Sequence, residues 1–491
     1  MKRLSASTTP LSARHHQREL GTPGIVHMGL GNFHRAHQAV HTARALAHAD
    51  GPWSILGVAN SSAAVAEAMR EQDMRYGVVQ ISPEKTRVEV PAVHADVLVA
   101  TAQPAAVAEA LAARQTRIVT LTITEKGYTY SPRHGGLDLD HPDVQADLRR
   151  DAPTTAVGRL ARAMQRRAAT HAEPISILSC DNLMGNGDLT GRLVREFAAQ
   201  LPETERAELL DYLDRRVSFP NSMVDRIVPA TTDSYRRAVA ELLGLRDEVP
   251  VPAEPFSMWV LEDRFAAGRP AWEHGGATFT TDVAPYELLK LRLLNGTHSM
   301  LAYLGALSGC DLIAESTNMR HIADAARRAI FDDYLPTFTA PAGVDVENYA
   351  AQLFTRWANG ALGHRTRQVG SDGSTKLAQR VPDPALHHLR NGRMPHHLAL
   401  TVAAYLCCMA PPEGFEAGPH AAAMVDPARE RLRAAATSTN AEEFVAAALR
   451  DGLLGEELAE HTDFRRRVAE FVDLIATHGT AAASAEAQQA G

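Results

Sequence analysis

The chain has little cysteine, no long apolar run and no excess of one charge, and each shortage removes a class of protein. Only four of its 491 residues are cysteine: Cys180, Cys310, Cys407 and Cys408. They are too few and too scattered for a disulfide framework or a zinc site, and the adjacent pair is not a C-x-x-C, so a reducing cytoplasm is the expected setting. Lys and Arg number 50 against 58 Asp and Glu, a formal net charge of −8 without a strong run of either sign. That balance argues against nucleic acid or a membrane surface as partners. No stretch approaches the roughly 18 apolar residues of a membrane span. The first twenty residues, MKRLSASTTPLSARHHQREL, lack the apolar core of a signal peptide. The expectation is a soluble protein without internal repeats.

A chain this long exceeds one hydrophobic core, so two large domains are expected. Residues 1–22 read as a flexible lead-in that ends in the turn cluster Gly21-Thr22-Pro23-Gly24. Then comes IVHMGLG (25–31), a short β-branched run closing on two glycines, followed by FHRAHQAVHTARALAHA, which has helical composition. Further strand-like runs, WSILGVA (53–59), RIVTLTITEKGY (117–128) and ISILSCDN (175–182), are set among helical stretches. Strands alternating with helices indicate an α/β, doubly wound parallel sheet of the Rossmann type. From about residue 284 long Ala- and Leu-rich helical patterns take over. The expected organisation is therefore a Rossmann-type dinucleotide-binding domain over 1–283 and a mostly α-helical substrate domain over 284–491. The tail AAASAEAQQAG reads as disordered.

The turn Gly29-Leu30-Gly31 lies where dinucleotide folds place their phosphate loop, because glycines let the backbone approach a pyrophosphate. The third glycine of G-x-G-x-x-G is missing, since His34 stands there. His34 and His37 have no evident third ligand, so no metal is expected. Many Rossmann folds hold the adenosine ribose with an acid at the end of the second strand. Here GVANSSAAVAE has no acid from 57 to 66 and no arginine to grip a 2′-phosphate, which leaves NAD and NADP both open. The segment SCDNLMGNGDLTGR (179–192) is a turn-rich exit from a strand, and HRTRQVGSDGSTKLAQR (364–380) reads as a polar loop dense in cations.

One apolar stretch carries an anomaly. Lys290 sits among Leu288, Leu289, Leu291, Leu293 and Leu294, just before Asn295-Gly296-Thr297-His298. On a helix that run goes most of the way round, so the helix is largely buried. A buried lysine has its pKa lowered by desolvation, which makes it a usable base near neutrality. The alternative is a lysine that snorkels to the surface on its long stem.

Taken together, IVHMGLGNFHRAHQAV, TITEKGY, GGLDLDHPDVQADL, SCDNLMGNG, FPNSMVDRIVP, PFSMWVLEDRFAAGRPAW and YELLKLRLLNGTHSMLAYLG resemble the long-chain mannitol dehydrogenase family. It includes mannitol 2-dehydrogenase and fructuronate reductase (mannonate oxidoreductase), and the similarity runs from about 24 to 475. The resemblance implies metal-independent, reversible hydride transfer between NAD or NADP and a secondary carbinol. By the same resemblance Lys290 is the general base, and Asn186 and Asn295 supply amides to the developing alkoxide. His298, Asp225 and Lys376 contact substrate, and Gly29, Gly31, Phe33 and Arg35 fall on the cofactor turn. The acidic pair that follows the second strand in the mannitol 2-dehydrogenases is replaced here by Ala63 and Ala64, so discrimination against NADP is expected to be weak. An arginine that contacts substrate in the mannitol enzymes falls on Gln368, with Arg367 beside it. The cations of 364–380, together with Lys126, look more like the fructuronate reductases. D-Fructuronate/D-mannonate is therefore the favoured substrate pair, with D-mannitol/D-fructose the alternative and mannitol 1-phosphate third. Family members are often monomers or small homo-oligomers.

Overall fold

The computed structural model describes residues 1–15, 20–150, 152–436 and 440–490 and divides into two compact units, Met1–Ala284 and Pro285–Gly491. The first is built on six parallel strands: β1 (Ile25–Met28), β2 (Ile55–Ala59), β3 (His94–Val99), β4 (Ile118–Leu121), β5 (Ile175–Ser179) and β6 (Val217–Ser218). Their order across the sheet is β3-β2-β1-β4-β5-β6, with every pairing parallel. This is the Rossmann arrangement, and the order reverses between β1 and β4, the point at which such sheets bind dinucleotides. β1, β4 and β5 are buried along their whole length, which is why they read as continuous apolar runs rather than alternating ones. β3 and β6 escape a reading of the sequence alone. HADVLV carries a histidine and an aspartate, and β6 is two residues long.

Helices α1 (Asn32–Ala36), α2 (Gln38–His48), α3 (Ala63–Glu71), α4 (Pro104–Ala112), α5 (Ala156–Thr170) and α6 (Asn186–Ala199) lie between the strands. A second, three-stranded sheet pairs Ser222–Asp225 with Met258–Glu262, and that strand with Thr278–Thr280. The expected flexible lead-in is ordered over much of its length. Lys2 and Arg3 pair with Leu245 and Arg246, and Leu4 and Ala13 join Val90, Ala92 and Leu245 in a small apolar cluster. Residues 16–19 of that lead-in lie outside the described residues.

The second unit is helical. α7 (Ala284–Leu289) runs without a break into a π-helical segment, Lys290–Gly296, and then into α8 (Thr297–Leu307). α8 is buried from Thr297 to Ala306 and belongs to one apolar core with α9 (Val346–Trp357), α12 (His396–Met409) and α13 (Thr462–Ala490). The segment 364–380, expected as a loop, is largely two short helices, α10 (Thr366–Gly370) and α11 (Gly373–Arg380). They are separated by Ser371 and a left-handed Asp372 (φ 55°), a backbone state that aspartate tolerates better than most residues. The tail is also corrected, because α13 continues to Ala490 beyond a break at Gly479. Thr480, Ala483, Ser484 and Ala487 are buried there. Alanine has the highest helix propensity, and this small-residue stripe packs although it carries little apolar bulk. No helix among the described residues is long and apolar enough to cross a membrane.

Candidate active site

In the first unit the glycine turn grows directly out of β1. The amides of Gly29 and Leu30 donate to the Val58 carbonyl at 2.9 and 3.1 Å, and the Gly31 amide donates back to the Gly29 carbonyl at 2.6 Å. Gly29 has φ 102°, and a Cβ there would lie 2.0 Å from the Thr122 carbonyl oxygen. Only glycine allows β1 and β4 to come so close at this point. At Gly31 a Cβ would meet nothing nearer than the Gly29 carbonyl, at 3.7 Å. The glycine at 31 is therefore not demanded by packing. It leaves open the space over the turn that a cofactor pyrophosphate needs, and in this respect the residues fit a dinucleotide.

The helix after the turn is only five residues long and breaks at His37 (φ −120°, ψ −84°). Phe33 is half-buried and stacks on His37, with ring centroids 5.0 Å apart. Arg35, which the resemblance puts on the cofactor turn, is buried, and its guanidinium donates to the Val249 carbonyl (2.6 Å) and to Asn32 Oδ1 (2.7 Å). It also lies over the Tyr76 ring, 5.3 Å from the centroid. In this structure Arg35 holds the turn from beneath. Under the same turn His27 stacks on His34 (3.3 Å), and His34 Nε2 meets His94 Nε2 at 3.0 Å. Burial holds all three imidazoles neutral, with His27 and His94 pushed down to about 3 and His34 also well below its ordinary value. Among the described residues no group of three or more His, Cys, Asp or Glu is arranged to hold a metal ion.

At the exits of β4 and β5 the structure shows a clamp that sequence reading missed. The buried Asp181 carboxylate accepts the amides of Ile123 (3.0 Å) and Thr124 (2.8 Å) and the Tyr128 hydroxyl (2.7 Å). Thr124 has φ 63°, an uncommon state for a β-branched residue that persists only where its surroundings impose it. The only sequence signal was an aspartate after a buried strand, which turn chemistry explains equally well. Asn186 opens α6 and is fully buried. Its Nδ2 donates to the carbonyls of Asp181 (3.0 Å) and Ser222 (2.8 Å), and its Oδ1 accepts the Ser222 amide (2.9 Å). Both amide hydrogens are thus engaged, and Asn186 reaches a substrate alkoxide only by exchanging one of these bonds. Asp225 is buried at the end of its strand.

In the second unit Lys290 is buried and opens the π-helix, so it is no surface lysine. Asn295 lies five residues further on. An α-helix would separate the two by about 140° around the axis, whereas i→i+5 winding returns residue i+5 to the face of residue i. π-Helical turns of this kind are frequent at functional sites. Asn295 is half-buried, and its side-chain amide makes no hydrogen bond among the described residues. Its carbonyl accepts from the Arg380 guanidinium at 3.0 Å, and the same nitrogen donates to Ser299 Oγ at 2.7 Å.

His298 follows on α8, buried, with an Nε2 that makes no hydrogen bond among the described residues. Burial keeps it neutral, and His364, Arg380, Arg356 and Lys376 all push in the same direction. His364 is itself held down to about 4 by burial. Lys376 donates to the carbonyls of Val369 (3.0 Å) and Ser371 (2.6 Å) at the end of α10, and burial, then Arg380, lowers its pKa. Arg367 and Gln368 are exposed on α10. Arg365 pairs with Asp311.

A Rossmann sheet with an open glycine turn, and a buried lysine and an uncommitted amide on one π-helical face, define a nicotinamide-dependent oxidoreductase of two units. Residues 23–274 match the mannitol dehydrogenase Rossmann domain and residues 282–476 the mannitol dehydrogenase C-terminal domain, and the chain belongs to the mannitol dehydrogenase family. It is 36% identical to the D-mannonate oxidoreductase of Escherichia coli (strain K12) over 450 residues, 90% of each protein. It is 38% identical to the mannitol 2-dehydrogenase of Cereibacter sphaeroides over 394 residues, 79% of this chain and 81% of that one. The ternary complex of Pseudomonas fluorescens mannitol 2-dehydrogenase with NAD and D-mannitol superposes with a TM-score of 0.85 at 31% identity, covering both chains fully.

Proposed function

We propose that this enzyme interconverts a ketohexonate and a hexonate, the D-fructuronate/D-mannonate pair, by reversible hydride transfer with NAD(P). The observation that supports a carboxylate-bearing substrate is the cation set around His298: Arg356, Lys376 and Arg380 all act electrostatically on that one buried imidazole. Charge-assisted hydrogen bonds from such groups favour a carboxylate over a neutral hydroxymethyl end. The bound nicotinamide supplies or accepts the hydride. In the oxidative direction Lys290 takes the proton of the reacting hydroxyl, and in reduction it returns a proton to the carbonyl oxygen, a role worth roughly 10²- to 10⁴-fold. The Asn295 amide donates to the developing alkoxide. By the family resemblance Asn186 is a second donor, available only when it releases Asp181 or Ser222, and each such donor is worth roughly 3 to 4 kcal/mol. His298 Nε2, Asp225 and Lys376 hold substrate hydroxyls. Arg367 and Gln368, exposed on α10, are the further residues assigned to the substrate. The four cysteines, all free thiols, suit a reducing cytoplasm.

The test is the initial rate of NADH and NADPH oxidation with D-fructuronate and with D-fructose, EDTA present in both. A higher kcat/KM for fructuronate supports the reading. Preference for fructose makes the protein a mannitol 2-dehydrogenase and reduces the cation set to scaffolding. Inactivity on both moves the search to phosphorylated polyols.

A further inference from the structure

The end of β2 is where a Rossmann fold meets the adenosine ribose, and a carboxylate or an arginine there decides between NAD and NADP. Here β2 is followed by Asn60, Ser61 and Ser62, all exposed. Their position is fixed by the glycine turn, since Gly29 and Leu30 hydrogen-bond to Val58, two residues before Asn60. The stretch 57–66 contains no acid and no arginine of its own, but the fold delivers one. Arg159, near the start of α5, donates to Asn60 Oδ1 at 3.3 Å. Its Nε is held by the Pro153 carbonyl at 3.1 Å, which steadies the guanidinium over the strand end.

Among the described residues the carboxylate that acts on Arg159 is Asp147, which is fully buried and already accepts the amides and hydroxyls of Thr154 and Thr155. Its presence does not place a charge beside Asn60. Arg159 also borders a cavity of about 590 Å³ whose other charged groups are Arg149, Arg162, Arg166 and Glu205. Arg162 is paired with Glu205 at 2.8 Å, so the remaining balance among the described lining residues is positive and adds to the potential that draws a phosphate. The Ser61 and Ser62 hydroxyls make no hydrogen bond among the described residues.

We propose that Arg159, with Asn60 and the hydroxyls of Ser61 and Ser62, receives the 2′-phosphate of NADP(H), and that this enzyme binds NADP(H) at least as tightly as NAD(H). Arg159 is a specificity residue and takes no part in the hydride transfer. The proposal rests on membership of the nicotinamide-dependent family and not on the choice of sugar.

Its test is direct binding of NADPH and of NADH to the purified full-length protein, followed by fluorescence without substrate, alongside kcat/KM for each coenzyme. The wild type is expected to bind NADPH with a Kd equal to or below that of NADH. Arg159→Ala should weaken NADPH about ten- to a hundredfold, the range of a charge-assisted bond to phosphate, and shift NADH less than threefold. Asn60→Asp, an exposed substitution that leaves packing alone, should reverse the preference by setting a carboxylate against the phosphate. A wild type that binds NADPH tenfold more weakly than NADH overturns the proposal. So does an Arg159→Ala variant that loses both coenzymes equally while Asn60→Asp leaves the ratio unchanged. Binding is read without a sugar, so failure on fructuronate and fructose leaves this result intact and counts only against the proposed reaction.

Discussion

Replacing Arg380 by methionine separates two jobs that one side chain performs. A single guanidinium nitrogen donates to the Asn295 carbonyl at 3.0 Å and to Ser299 Oγ at 2.7 Å, so it braces the point where the π-helix gives way to α8. Hydrogen bonds from a charged donor are worth about 1.5 to 3 kcal/mol. In the proposed reaction the Asn295 amide acts only if that turn keeps it on the face of Lys290, and a displacement near 1 Å at a reacting centre costs about 10²-fold. Arg380→Met is therefore expected to lower kcat roughly ten- to a hundredfold on D-fructose, a substrate without charge, while the Kd of the coenzyme stays at its wild-type value. On D-fructuronate the same variant should also raise KM, because one cation of the set around His298 has gone. Arg380→Lys restores the charge and should recover more of the fructuronate KM than of kcat. Wild-type kcat on fructose together with wild-type KM on fructuronate would refute both halves of the reasoning. A rise in KM alone would leave Arg380 as a charge and not a brace.

Lys290→Ala should lower turnover by at least 10²-fold with coenzyme affinity retained, and unchanged turnover would sink the mechanism. The two glycines of the turn should behave differently. Gly29→Ala sets a Cβ 2.0 Å from the Thr122 carbonyl at φ 102° and should cost more than the roughly 1 to 3 kcal/mol of backbone strain alone, seen as a lower Tm. Gly31→Ala, with open space above it, should keep the wild-type Tm and lose coenzyme affinity. Equal thermal losses in the two variants would contradict that difference. His27 and His94 have folded pKa values near 3 against an ordinary 6.5, so the unfolded chain binds more protons between those limits. Stability is then fully present above about pH 6.5 and falls as pH drops toward 3, by about 1.4 kcal/mol per pH unit for each histidine. A His94→Gln variant should show a shallower fall of Tm from pH 7 to pH 4, and an unchanged slope would remove the histidine cluster as its cause.

The sequence by itself determined the strand runs of β1, β2, β4 and β5, the glycine turn, the change of texture near 284 and the lysine set in an apolar run ahead of Asn295 and His298, while the order of the strands across the sheet and the burial of Lys290 came from the fold. These are local properties: apolar period, β-branching, turn residues, and a charge where no charge is cheap. What it missed has two physical causes. Some elements are weak locally and are supplied by packing. The two-residue β6 is completed by its neighbour in the sheet, α10 and α11 fold within a polar segment, and the alanine tail reads as disorder until its small-residue stripe is buried. Other features join residues far apart in the chain, and no spacing rule reaches them. Asp181 holds Ile123, Thr124 and Tyr128, Arg159 reaches Asn60, and Arg380 reaches Asn295. The π-helix lies between the two cases. Lys290 and Asn295 are five apart in the sequence and belong to different faces of any α-helix, and only the winding adopted in the folded unit puts lysine and amide on one side.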